Sequence, residues 1–124
     1  MKKTILLTAT LLGLISVLIG AFGSHSIKDY LIAIERVSTF EISVRYQFYH
    51  VFFLLILGLS YDLFDSVFIT YAFFSCLLGI ILFSGSLYIL CLTNNSFFGI
   101  ITPFGGISLV IAWAFFFISI IRSK

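Results

Sequence analysis

The stretch VRYQFYHVFFLLI, residues 44–56, drives Arg45, Gln47 and His50 straight into one of the most apolar runs of the chain. Polar groups in such surroundings are costly unless they find partners. The composition says what the surroundings are. Of 124 residues, 61% are hydrophobic and only 10% are charged, with a mean hydropathy of +1.23. A soluble domain carries roughly a quarter charged residues on its surface. The chain is therefore read as a membrane protein, a single integral domain over residues 1–124, with the lipid bilayer as its first partner.

Uncharged sequence around the opening stretch runs only from Tyr46 to Tyr61, sixteen residues, which is short for a bilayer. The helix is expected to begin earlier. Ser38-Thr39-Phe40-Glu41 has the form of a capping box, and a helix over about 39–61 spans comfortably. Glu41 and Arg45 then form an i,i+4 pair near the interface, with Arg45 snorkelling outward.

Three further runs are long enough to cross. The first, about 4–22, covers roughly 28 Å as a helix. Lys2 and Lys3 precede it, and AFG ending at Gly23 could serve as a cleavage site, so it also has the shape of a signal peptide. Its length and the glycines Gly13, Gly20 and Gly23 favour a retained, closely packed helix. The third span is 67–92. The fourth apolar run is broken by Pro103. Thr102-Pro103 reads as N-cap and first helical position, giving a helix over 103–121 with Phe97–Ile101 as an interfacial lead-in. The other reading is a proline kink inside one longer helix.

Between the first two spans, Ile27, Leu31, Ile34 and Val37 recur at helical spacing among Lys28, Asp29, Glu35 and Arg36. This predicts a short amphipathic helix on the membrane surface. The remaining connections are brief, which forces antiparallel neighbours. The expected fold is all-α: a transmembrane antiparallel four-helix bundle with a short amphipathic interfacial helix after the first span. An even number of spans puts both termini on one side. Lys2, Lys3, Arg122 and Lys124 stand there against Lys28, Arg36 and Arg45 opposite, four against three, so the termini are assigned to the cytoplasm.

In an up-down bundle the polar residues then converge at the end away from the termini. His25 follows the exit of the first span, and Gln47 and His50 lie in the entry third of the second. The third span leaves through Ser84, Gly85, Ser86 and Tyr88, and the fourth enters at Thr102, Gly105 and Gly106. Lipid satisfies none of these groups, so they should point inward to other helices. The candidate polar cluster is His25, Gln47, His50, Ser84, Ser86, Tyr88 and Thr102. Gly20, Gly23, Gly85, Gly105 and Gly106 are the candidate close-packing positions.

The pieces GAFGSH (20–25), VRYQFYH (44–50), FSGSLYILCLT (83–93), ITPFGG (101–106) and IAW (111–113) together resemble the small bacterial YgdD-like inner-membrane proteins. The resemblance runs in order over nearly the whole chain. It implies four spans and an inner-membrane location, and it lends no activity. The family usually has alanine where this chain has Ser24.

Several functions compete for the polar residues. His50 is read as a neutral histidine joining helices, or as a proton carrier. Two histidines without a nearby carboxylate or cysteine make a poor metal site, and no metal or other cofactor is expected. Ser84 and Ser86 lack a nucleophile elbow, so an enzyme is the least favoured class. Cys76 and Cys91, fifteen positions apart, would lie about 22 Å apart on one helix, too far for a disulfide. Trp113 falls mid-span and is read as either core or lipid-facing. No basic face suggests nucleic acid. A structural or accessory bundle that binds a membrane-protein partner, or itself, leads. A small transporter or ion pathway through His50 and Gln47 comes second.

Overall fold

The computed structural model describes residues 1–123. The helices are α1 (Lys2–His25), α2 (Lys28–Ala33), α3 (Val37–Leu59), α4 (Ser66–Thr93) and α5 (Phe98–Arg122). All but α2 are long and apolar enough to cross a membrane. The chain is a polytopic membrane protein whose four spans pack as an antiparallel bundle.

Two close helix pairs build it. In the first, Gly58 of α3 meets Leu6 of α1, while Gly23 of α1 meets Phe40 of α3. In the second, Gly79 of α4 meets Leu109 of α5, and Gly105 of α5 meets Phe83 of α4. These crossed contacts fix both pairs as antiparallel. The core between the pairs lies in the half nearer the termini. It gathers Ile5 and Ala9, Phe53, Leu54 and Leu57, Ile69, Ala72 and Cys76, and Leu109 and Ala112. Lipid is as apolar as these side chains, so dispersion from tight packing holds them together rather than escape from water.

The two ends are closed differently. At the terminal end, Lys2 Nζ lies 2.6 Å from Asp62 and Arg122 Nε 3.6 Å from Asp65, with the Arg122 guanidinium over the Phe68 ring. Asp65 also caps α4, its Oδ1 accepting from the Val67 amide at 3.0 Å. At the opposite end, α2 folds over the bundle and buries Leu31 beside Phe40 and Cys91. The Tyr30 hydroxyl donates to the Leu92 carbonyl, and Arg36 Nε to Asn94 Oδ1. Asn94 ends α4 in the left-handed region at φ 51°, which asparagine tolerates well.

The structure corrects three expectations. Pro103 is not the start of the last helix. It sits inside α5, and Phe97–Ile101 is not a separate lead-in, because Phe98 onward is helical. Proline is tolerated there because only one helical bond, to the Gly99 carbonyl, is lost one turn from the end. The capping box does not form. α3 begins at Val37 behind Arg36, with no side-chain cap, since the turn through Glu35 at φ 56° already sets the chain direction. Among the described residues Glu41 and Arg45 form no ion pair. Within α4, Ile81–Gly85 form a π-helical turn. Lys124, one of the basic residues counted for orientation, lies outside the described residues.

Candidate functional site

The π-helical turn of α4 organises the polar half of the bundle. Such a turn widens the helix by one residue and loosens its own hydrogen bonds. A side chain from α3 and one from α4 itself reach its backbone. The Ser43 hydroxyl of α3 donates to the Ser84 carbonyl at 2.7 Å, and the Ser84 hydroxyl returns the bond to the Ser43 carbonyl at 2.8 Å. The Ser86 hydroxyl reaches the Phe83 carbonyl at 3.0 Å and pairs with the Thr102 hydroxyl of α5 at 2.8 Å. A Cβ on Gly105 would stand 2.3 Å from the Phe83 amide nitrogen, so only glycine lets α5 lie against the turn.

One helical turn along α3, Gln47 bridges the two halves. Its Oε1 accepts from the Tyr88 hydroxyl at 2.8 Å, and its Nε2 donates to the Leu12 carbonyl of α1 at 3.3 Å. It is 3% exposed, so its hydrogen bonds must come from protein. Gln47 thus joins α1, α3 and α4 at one level.

His50 belongs to a different face. Its Nδ1 lies 2.8 Å from the Tyr46 carbonyl one turn back, and its Nε2 lies 3.4 Å from the Trp113 indole nitrogen of α5. A carbonyl only accepts and an indole N–H only donates, which assigns the neutral ring with its proton on Nδ1. The Trp113 ring in turn stacks on Phe53, centroids 4.2 Å apart. The sequence left Trp113 between core and lipid. It is both, with one face on Phe53 and half its surface exposed.

The seven residues of the expected cluster are therefore not one network. Gln47 meets Tyr88, Ser86 meets Thr102, and Ser84 meets Ser43. His50 stands apart from the hydroxyls of α4, and His25 is exposed at the end of α1, in none of the side-chain hydrogen bonds among the described residues. Of the five glycines, Gly23 and Gly105 admit no Cβ without displacement. Gly20 and Gly106 make ordinary contacts, and at Gly85 the nearest atom is the Ile80 carbonyl oxygen at 4.0 Å. Ser43 was missed, although its spacing with Gln47 and His50 (43, 47, 50) follows the buried stripe of a helix.

Among the described residues, no buried side-chain nitrogen or oxygen lacks a partner. The cavities beside the site are lateral and apolar. One of about 620 Å³ between α3 and α5 is lined by Tyr46, His50, Phe83, Gly106 and Trp113. Another of about 470 Å³ on the opposite face reaches Gln47, Ser86 and Tyr88 past Leu12 and Ile101. No group of three or more metal-ligating side chains forms among the described residues.

Comparison with known proteins agrees with this architecture. The family described as "Protein of unknown function (DUF423)" matches residues 19–106. A UPF0382 membrane protein of Staphylococcus haemolyticus is 37% identical over 117 residues, 94% of each chain. One from Staphylococcus aureus is 38% identical over 111 residues, covering 90% of this chain and 89% of the relative. The UPF0382 inner membrane protein YgdD of Escherichia coli K12 is 32% identical over 123 residues, 99% of this chain and 93% of the relative. No solved structure matches. The chain belongs to the DUF423 (UPF0382) family of membrane proteins, a family of unknown function.

Proposed function

We propose that the protein is a structural or accessory component of the bacterial plasma membrane, whose internal hydrogen bonds fix helix register so that its outer faces meet a membrane partner or a second copy. The observation that carries this reading is the complete pairing of buried side-chain polar atoms among the described residues. A translocated ion or proton needs groups that exchange partners along a hydrated route. Here the donors and acceptors are committed to neighbouring helices, and the two cavities beside the site open sideways among apolar side chains. We assign both termini to the cytoplasmic side. In the sequence, Lys2, Lys3, Arg122 and Lys124 at the terminal ends of the spans, against Lys28, Arg36 and Arg45 opposite, support this under the positive-inside rule, and the "inner membrane" in the name of the Escherichia coli relative supports the location.

One observation favours a small transporter instead. π-helical turns recur at functional sites, and that of α4 lies beside Ser43, Ser86 and Thr102. Reconstitution separates the two. Liposomes carrying the protein and a pH-sensitive dye are expected to dissipate an imposed proton gradient no faster than protein-free liposomes. His50→Gln is expected to lower stability with no change in flux. Gradient collapse by the wild type that is lost in a folded His50→Gln variant would establish the transport reading.

A further inference from the structure

Where α1 ends, α2 turns back and α3 starts, a pocket of about 150 Å³ is lined by Gly23, Ser24, Lys28, Leu31, Val37, Phe40 and Glu41. Its floor is apolar and fixed. Leu31 and Phe40 are buried in one cluster, and Gly23 lies so close to the Phe40 ring that a Cβ would overlap it. Its rim carries one ammonium and one carboxylate. Neither Lys28 nor Glu41 forms an ion pair among the described residues, with each other or with any other side chain. Glu41 is the residue the sequence would pair with Arg45, and the structure leaves it facing this pocket.

The position narrows the ligand. The pocket sits between the last turn of α1 and the first turn of α3. These are the ends of two spans, at the depth where lipid headgroups lie. A headgroup matching a neighbouring ammonium and carboxylate carries an anion and a cation a short link apart. A phosphate fits Lys28. Glu41 then takes a cation, and a primary ammonium suits it because it donates charge-assisted hydrogen bonds that a quaternary ammonium lacks. The Ser24 hydroxyl donates to the Gly20 carbonyl at 2.9 Å, so its oxygen remains free to accept from the same ammonium. We infer that this pocket is a specific site for a phospholipid with a zwitterionic primary-amine headgroup, phosphatidylethanolamine, in the leaflet opposite the termini.

The test is lipid retention by the full chain, followed by native mass spectrometry after detergent extraction from vesicles. The vesicles hold equimolar phosphatidylethanolamine, phosphatidylcholine and phosphatidylglycerol of matched acyl chains. The wild type is expected to retain phosphatidylethanolamine about threefold to fivefold over phosphatidylcholine, the range an exposed ion pair supports. Glu41→Gln is expected to erase that preference, and Lys28→Gln to lower retention of both lipids. Each variant changes one exposed side chain, so an unchanged helical circular dichroism spectrum serves as the folding control. Equal retention of the two zwitterionic lipids by the wild type, preferential retention of phosphatidylglycerol, or an intact preference in Glu41→Gln would each overturn the assignment.

Discussion

Ser43 of α3 and Ser84 of α4 exchange hydrogen bonds, each hydroxyl donating to the other's backbone carbonyl at 2.7 and 2.8 Å. Both side chains are almost wholly buried, and the exchange falls within the π-helical turn of α4. The pair joins two helices, side chain to backbone in both directions, at a level where lipid offers no substitute.

The reciprocity has a measurable signature. Ser43→Ala and Ser84→Ala are each expected to destabilise the protein by roughly 0.6–1.7 kcal/mol, the range of interhelical hydrogen bonds in membranes. Each substitution removes one of the two bonds and loosens the approach that makes the other. The double variant is therefore expected to cost less than the two singles added. Strict additivity in a steric-trapping or mild-denaturant cycle would show the two bonds to be independent.

The candidate close-packing glycines differ in what they do. At Gly105 a Cβ would meet the backbone of Leu82 and Phe83, which cannot rotate away, whereas at Gly85 the nearest atom is 4.0 Å off. Gly105→Ala is expected to cost about 1–3 kcal/mol by overpacking, and Gly85→Ala within about 0.5 kcal/mol. Thermal unfolding in detergent checks both. Equal losses at the two positions would contradict the observed helix contact.

The single tryptophan reports on His50. Trp113 donates to Nε2 while stacked on Phe53, so His50→Leu removes the acceptor and leaves the stack. Trp113 emission is expected to move to shorter wavelength as the indole loses its polar partner. Stability is expected to fall by about 1 kcal/mol. An unchanged spectrum in the folded variant would mean that the indole and imidazole do not interact.

Much of this was legible from residue types alone. Four spans and their antiparallel order follow from apolar run length and short loops. The polar end of the bundle follows from which span ends carry Gln47, Ser84, Ser86 and Thr102. The failures share a cause. Pro103 and the Ser38–Glu41 box were read through local rules that hold for isolated helices. In the fold, α5 runs through Pro103 from Phe98, and the turn at Glu35 precedes the start of α3 at Val37. The expected partners of His50 rested on shared depth and on the three-residue spacing that puts residues 47 and 50 on one helix face. Residues 47 and 50 share a depth but diverge around the α3 axis, one toward Leu12 and Tyr88, the other toward Trp113. The π-helical turn has no signature in ILFSG itself, since it arises from the contacts made to it.

Solvent access along α3 tests the central claim most directly. In a variant lacking Cys76 and Cys91, single cysteines at positions 43, 47 and 50 are exposed to a membrane-impermeant polar maleimide in proteoliposomes. Buried groups committed to helix–helix hydrogen bonds predict no labelling at any of the three, against full labelling of a control cysteine at the exposed Asn95. Labelling at 47 or 50 in folded protein would reveal water inside the bundle and contradict the account.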